Sequence, residues 1–233
     1  MNHRRRITDD ELNLTASRLE NMRPEDALAW AVEQFGDRLA LASSFGAEDV
    51  VLIDMLHKLA PATPVFYLDT GLHFAETYGV RDRLRERYGI EFIRVLPKLT
   101  LAEQAEQYGD NLWEREPNLC CQLRKVEPLG EFLAGYDAWI TGIRRQQAPT
   151  RAGAKKAEWD EKFQLVKVNP LADWSHEQVW QYIREHDVPY NPLHDRNYPS
   201  IGCRVCTRPV RPGEDLRAGR WSGFAKTECG LHK

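Results

Sequence analysis

Two close pairs of cysteines, far apart along the chain, constrain its fold most. Cys120 and Cys121 are adjacent, and Cys203 and Cys206 form a Cys-x-x-Cys pair. Four thiols in two pairs are the donor set of a soft metal or an iron–sulfur cluster, and a fold that uses them must bring the two segments together. Neighbouring side chains on a helix point about 100° apart, so Cys120 and Cys121 reach a large cluster without strain but a single zinc ion only with it. A [4Fe–4S] cluster fits this spacing best; zinc and unliganded thiols are the alternatives. The fifth cysteine, Cys229, sits in Glu228-Cys229-Gly230-Leu231-His232. It reads either as a nucleophile on a mobile tail or as an ordinary terminal thiol.

The chain has 233 residues, 42% of them hydrophobic, enough for a substantial core. A formal charge of −3 does not indicate a general nucleic-acid binder, although basic residues gather at Arg144, Arg145, Arg151, Lys155 and Lys156 and between Arg204 and Arg220. The basic start, Met1 to Arg6, is followed by Thr8-Asp9-Asp10-Glu11 rather than an apolar run, so neither a signal peptide nor a membrane span is expected. The expected compartment is the cytoplasm, where thiols stay reduced, which favours metal binding or catalysis over disulfides.

Along the chain, short apolar runs alternate with helical segments. Residues 8 to 35 read as two helices, one capped by Thr8 or Asp9 and one with Pro24 in its first turn. Strands are expected at 38–43, 64–68, 91–96, 137–142 and 163–168. Helices are expected from Val50 to Leu59, from the Asp69-Thr70-Gly71 turn to about Tyr88, over 117–134, and from a Ser175 cap to about His186. This pattern predicts an α/β fold, a mostly parallel sheet with helices on both faces, followed from about residue 190 by an irregular C-terminal segment. Ligands of such sheets bind beyond the carboxyl ends of the strands, which draws attention to loops 43–49, 69–73 and 142–151.

Those loops carry the candidate ligand groups. Ser43-Ser44-Phe45-Gly46-Ala47-Glu48-Asp49 joins a strand to a helix, and its backbone N–H groups and serine hydroxyls suit an anion. Asp69 and His73 stand at the next strand end. Arg144, Arg145, Arg217 and Arg220, with Lys125 just after the double cysteine, suit a doubly anionic ligand, because arginine binds phosphate and sulfate bidentately.

Taken together, Ser43–Asp49, Leu68-Asp69-Thr70-Gly71, Cys120-Cys121-x-x-Arg124-Lys125, Thr141-Gly142-x-Arg144-Arg145, Tyr190-Asn191-Pro192-Leu193, Gly202-Cys203-x-x-Cys206-Thr207 and Glu228–His232 closely resemble the assimilatory adenylyl-sulfate reductases. These are thioredoxin-dependent enzymes of sulfate assimilation within the wider phosphoadenylyl-sulfate reductase family. The resemblance covers roughly residues 35 to 232. It implies a Rossmann-like sheet akin to the adenine nucleotide α hydrolases and one reductase domain over 1–233. Within that domain, 1–35 would be N-terminal helices and about 190–233 a cluster-binding loop and mobile catalytic tail. It implies adenosine 5′-phosphosulfate as substrate, with a 3′-phosphorylated substrate as the rival, and is compatible with a homo-oligomer. It implies a [4Fe–4S] cluster on Cys120, Cys121, Cys203 and Cys206, and Cys229 as nucleophile, with Lys125 and His232 in the catalytic set. Lys125, Arg217 and Arg220 would contact the phosphosulfate. Ser43, Ser44, Phe45, Gly46, Asp49, Asp69, Arg144 and Arg145 would complete the substrate site. The loop departs from the fuller Ser-Gly-Gly-x-Asp-Ser pattern of nucleotide hydrolases of this fold type, having Phe45 where a small residue would lie.

Overall fold

The structure is a computed structural model that describes residues 7–232. Helix α1 (Asp9–Leu19) begins where Thr8 and Glu11 cap each other: Thr8 Oγ1 accepts from the Glu11 N–H, and the Glu11 carboxylate accepts from the Thr8 N–H at 2.9 Å. Helix α2 (Pro24–Phe35) starts at Pro24, whose missing N–H costs nothing in a first turn. There follow β1 (Leu39–Ala42), α3 (Ala47–Leu59), β2 (Val65–Leu68), α4 (Ala75–Tyr88) and β3 (Ile93–Val95). Next come α5 (Leu101–Tyr108), α6 (Leu112–Arg115), α7 (Pro117–Cys121), α8 (Glu127–Leu133) and β4 (Ala138–Ile140), then β5 (Ala157–Asp160), β6 (Leu165–Val168) and α9 (His176–Glu185). Ser175 caps α9 as expected, its hydroxyl accepting from the Gln178 N–H. After α9 the described chain is loop and short 3₁₀ turns, with one isolated bridge between Thr207 and Arg220.

The six strands form one sheet in the order β3-β2-β1-β4-β6-β5. All pairings are parallel except β5 with β6. The β5–β6 hairpin is a correction to the expected strand set, which had a single strand at 163–168. Gln164 turns the hairpin with φ 56°, and the four residues of β5, Ala-Glu-Trp-Asp, carry little of a strand's sequence signal. Helix α5, capped by Thr100 and Glu103, was likewise not anticipated.

Alternation along the strands divides the core into two layers, one on each face. Leu39, Leu41, Val65, Ala138 and Ile140 pack with α2, α3, α4 and α9. Ala40, Phe66 and Trp139 point the other way, onto Leu129 and Leu133 of α8. Strand order reverses between β1 and β4, so the connections leave their carboxyl ends in opposite directions and open a crevice there.

One buried carboxylate ties the first layer together. Asp54 of α3 has a side chain only 2% exposed and accepts from Lys58 Nζ at 2.6 Å, Tyr88 OH at 2.8 Å and Tyr182 OH at 2.7 Å. It thus joins α3 to the end of α4 and to α9. Burial opposes its charge, but the donated hydrogen bonds outweigh that and hold the carboxyl below its usual range. Asp54→Ala strands three donors and is expected to lower unfolding free energy by about 2–4 kcal/mol, read by chemical denaturation. Because the folded pKa is depressed, the charge-dependent part of this difference should be fully present above the unfolded pKa near 3.8 and be lost as pH falls through the folded value.

Candidate active site

The crevice between β1 and β4 is a cavity of about 280 Å³. Its floor is the turn after β1. Phe45 adopts φ 59°, and its ring is buried against Tyr67 and Phe92, at centroid distances of 5.3 and 5.2 Å. The ring anchors the turn from beneath and does not line the cavity, so of the residues expected to meet a ligand, Phe45 can offer only its backbone. Ser43 Oγ accepts from the Phe45 N–H at 3.0 Å. The Ser44 N–H and hydroxyl both donate to Asp49 Oδ2, at 2.6 and 2.7 Å. Ser43, Ser44, Gly46 and Asp49 line the cavity, together with the first turn of α3. Burial pushes the Asp49 carboxyl up to about 6 against the Ser44 hydrogen bonds, and the Glu48 charge adds to the rise.

The loop after β4 closes against this turn with no space between them. A methyl group on Gly142 would collide with Asp49 Oδ1 and fall 2.9 Å from Glu48 Cβ. Glu48 pairs with the buried Arg144, Nη2 to Oε1 at 2.7 Å. Arg145 faces the opposite way: its Nη2 meets Glu20 Oε2 of the chain after α1 at 2.5 Å, and its Nε donates to Ala154 O at 2.8 Å. Arg145 therefore braces the N-terminal helix and lies outside the cavity lining, contrary to its expected place in the substrate site. Asp69 is also elsewhere. Its carboxylate, 1% exposed, accepts from the Gly71 N–H, Tyr78 OH and Arg94 Nε at 3.0, 2.6 and 2.7 Å, which fixes its own turn. His73 does line the cavity, its Nε2 donating to Leu68 O at 2.8 Å.

Behind the cavity lies a narrow slot lined by Cys120, Cys121, Cys203 and Cys206. The helical run from Pro117 to Leu133 widens into a π turn over Gln122–Val126, so Lys125 stands within the register change that follows the double cysteine. Arg124 is buried at the slot and donates to Thr70 O at 2.7 Å, Leu99 O at 3.2 Å and Gln104 Oε1 at 3.0 Å. Thr70 Oγ1 stands 3.3 Å from Cys203 Sγ. Burial first, and then the neighbouring sulfurs, push the Cys120 thiol up to about 12; the same causes push Cys206 up to about 11. Buried thiols of this kind ionise together only around a strongly positive core, which is what a cluster of iron ions would supply. Among the described residues no three His, Cys, Asp or Glu side chains converge as the ligands of one metal ion do.

Lys125 and Arg220 line both slot and cavity. Burial opposes the Lys125 charge, but Cys203, Cys229 and Cys121 outweigh it and hold the ammonium firmly protonated. Arg220 donates to Ser200 Oγ at 3.1 Å and lies 4.5 Å over the Trp221 ring, while its Nε is buried without a hydrogen-bond partner. Gly202 has no side chain because a Cβ there would strike this guanidinium.

The tail, expected to be mobile, is docked in this structure. Glu228 is buried between Arg151 and Arg217. Gly230 takes φ 87°, a left-handed conformation that favours glycine, and its carbonyl accepts from Lys162 Nζ at 2.6 Å. Leu231 packs on the layer that contains Phe66 and Trp139. The His232 ring lies parallel to Trp139, 16° between planes and 5.6 Å between centroids, with its Nδ1 enclosed and unpaired. Burial, and then the charges of Lys167, Arg151 and Arg217, hold this imidazole well below its usual pKa and therefore neutral. Cys229 is half-buried and lines the cavity.

Glu48, Arg151, Trp139 and Glu228 were not singled out as site residues from the sequence. Arg151 offered one signal, since it closes the loop already marked as ligand-facing. The tight β1–β4 contact yields a direct test. Gly142→Ala should leave the fold intact but weaken binding of AMP, the nucleotide that the resemblance implies, by about tenfold or more, read by calorimetry; overpacking of this kind costs about 1–3 kcal/mol.

Residues 38–209 match the phosphoadenosine phosphosulfate reductase domain family. The chain is 50% identical over 228 residues to adenosine 5′-phosphosulfate reductase of Halalkalibacterium halodurans, covering 97% of each chain. It is 54% identical over 207 residues to adenosine 5′-phosphosulfate reductase 1 of Bacillus subtilis, covering 88% of this chain and 89% of that one. Among solved structures it superposes on phosphoadenylyl-sulfate reductase from Candida auris, determined as a phosphate complex, with a TM-score of 0.77 and 32% identity over 85% of this chain and 97% of that chain. The fold extends to FMN adenylyltransferase of Candida glabrata, with a TM-score of 0.56 at 15% identity over 86% of this chain and 66% of that one. With a family match over most of its length and relatives at about 50% identity, the chain belongs to the phosphoadenosine phosphosulfate reductase family.

Proposed function

We propose that the protein reduces adenosine 5′-phosphosulfate to sulfite and AMP, with a thioredoxin-type dithiol as reductant. The observation that carries this reading is Cys229 at the wall of a nucleotide-sized cavity, within electrostatic reach of Lys125, with four further thiols behind that lysine. In the first step the Cys229 thiolate attacks the sulfate sulfur. A sulfur–sulfur bond forms, the sulfur–oxygen bond to phosphate breaks, and AMP leaves with that electron pair. Lys125 and Arg220 stabilise the charge that develops on the leaving phosphate. In the second step a thiolate of the reductant attacks the Cys229 S-sulfonate. Sulfite leaves with the electron pair of the broken sulfur–sulfur bond, and the reductant's second thiol completes a disulfide. The protein's thiol is regenerated, and both electrons come from the dithiol. Neutral His232, stacked on Trp139, lines the same cavity as Cys229 and would exchange a proton with the reacting groups there.

Cys120, Cys121, Cys203 and Cys206 would hold a [4Fe–4S] cluster, whose charge would tune the field at Lys125 and the substrate. The donor set fits such a cluster: four thiols line one slot, three of them buried and Cys206 half-buried.

The rival 3′-phosphorylated substrate needs an uncommitted cation for its extra phosphate. The basic cluster after β4 offers few. Arg144 is paired with Glu48, Arg145 with Glu20, Arg151 with Glu228 and Lys156 with Asp173. Higher identity to relatives named for adenosine 5′-phosphosulfate than to the phosphoadenylyl-sulfate reductase supports the same choice.

Intact-protein and peptide mass spectrometry after incubation with adenosine 5′-phosphosulfate and no reductant should find a sulfonate on Cys229, discharged by reduced thioredoxin. Cys229→Ser should abolish the adduct and retain iron. An adduct on another cysteine overturns the mechanism, and faster turnover of the 3′-phosphorylated substrate overturns the substrate.

A further inference from the structure

Beyond Arg144, which pairs with Glu48, the cations of the cavity fall into two sets. Arg151 and Arg217 are committed to one carboxylate. Glu228 Oε1 accepts from Arg151 Nε at 2.7 Å and from Thr150 Oγ1 at 3.2 Å, and its Oε2 accepts from Arg151 Nη2 at 2.8 Å and Arg217 Nη2 at 3.2 Å. The Glu228 side chain is 3% exposed. Arg217 also donates to Thr227 O at 2.9 Å, and Arg151 is steadied by Gln147 Oε1 at 2.5 Å. The other set has no carboxylate among the described residues. Arg220 donates only to a hydroxyl and a carbonyl and keeps an unpaired Nε, while Lys125 faces sulfurs.

Glu228 immediately precedes Cys229. Its two arginines come from separate places, one from the 3₁₀ turn Pro149–Arg151 after β4 and one from the loop beyond Cys206. The carboxylate therefore pins the chain at the residue before the nucleophile, while Lys162 on Gly230 and Trp139 under His232 pin it beyond. The two halves of the proposed reaction make opposite demands on this segment. Attack on the bound substrate needs the thiol inside, and discharge by a protein dithiol needs it outside. A bidentate, enclosed carboxylate–guanidinium clamp suits such a part. It is strong when closed, and both partners are solvated when it opens as a unit, whereas loss of one partner leaves a buried charge uncompensated.

We propose that Glu228 is a positioning residue whose clamp on Arg151 and Arg217 sets the closed location of Cys229. Arg217 gives the tail its Nη2 and still lines the cavity beside Lys125 and Arg220, so its hold on the tail is compatible with its expected contact with the phosphosulfate. The kinetic part of the proposal rests on the two-step reading above; the clamp itself is a property of the ligand-free protein.

The test is Glu228→Gln, which keeps size and removes charge, with Arg151→Gln and the double variant. Iodoacetamide labelling of Cys229 in the ligand-free holoprotein, followed by peptide mapping, should quicken by about tenfold or more in each single variant. The double variant should label no faster than the faster single one, as for two partners in one interaction. In single turnovers, S-sulfonate formation should slow in Glu228→Gln, while discharge of pre-formed adduct by reduced thioredoxin should be unchanged or faster. A merely structural role would slow both steps and lower Tm. Labelling of both single variants within about twofold of wild type, or additive effects in the double variant, overturns the clamp. Absence of any S-sulfonate in wild type would instead fail the catalytic reading and leave the labelling result to stand by itself.

Discussion

Lys125 carries the charge on which the two halves of the site depend. Its ammonium meets no carboxylate among the described residues, and it borders both the slot lined by Cys121 and Cys203 and the cavity lined by Cys229. A half-buried cation without a carboxylate is costly, so the thiols that would hold a cluster and the thiol that would perform the chemistry meet at this one side chain. The meeting has a structural cause. Helix α7 ends at Cys121, the backbone widens into a π turn, and the helix resumes at Glu127. A regular helix would put positions 121 and 125 one above the other on one face; the wider turn shifts that register and lets Lys125 border the cavity as well as the slot.

The rest of the sheet positions this helix and its partners. Reversal of strand order between β1 and β4 opens the crevice, and the contact of Gly142 with Asp49 and Glu48 fixes the two loops relative to each other. The second core layer, Phe66 and Trp139 against α8, does two things. It seats the helical run that begins with the cysteines, and it offers Trp139 as the platform for His232. The tail is thus docked onto the same aromatic residue that anchors the helix beneath it.

Much of this was legible in the sequence, because its strongest signals are local. The strand–helix alternation, the Thr8, Pro24 and Ser175 helix starts and the cysteine spacing each follow from a few neighbouring residues. Side-chain direction was not legible. Arg144 and Arg145 are adjacent, but Arg144 is extended (φ −128°, ψ 145°), so successive side chains leave on opposite sides: one enters the cavity and the other braces α1. Asp69 ends a strand as a ligand residue would, yet its carboxylate is captured by its own turn and by Arg94. Phe45 is turned into the core by a positive φ that its neighbours do not announce. Of the β5–β6 hairpin only β6 was legible; β5 is held by pairing and burial more than by pattern.

The distribution of committed and free charge gives the cavity a direction. At the β1–β4 end, Arg144 is neutralised by Glu48, and Asp49 adds a carboxyl raised to about 6. Along the tail, Arg151 and Arg217 face Glu228. Only at the cysteine end do Lys125 and Arg220 stand without a carboxylate among the described residues. A ligand that matches this gradient is anionic at one end and neutral at the other. Adenosine 5′-phosphosulfate has that distribution, with its phosphosulfate at one end and an uncharged ribose and base at the other. A 3′-phosphate would add a second centre of negative charge beside the ribose, where Glu48 and Asp49 have already filled the demand. On this account selectivity arises less from a group that recognises the substrate than from carboxylates that, among the described residues, leave few cations for its phosphorylated relative.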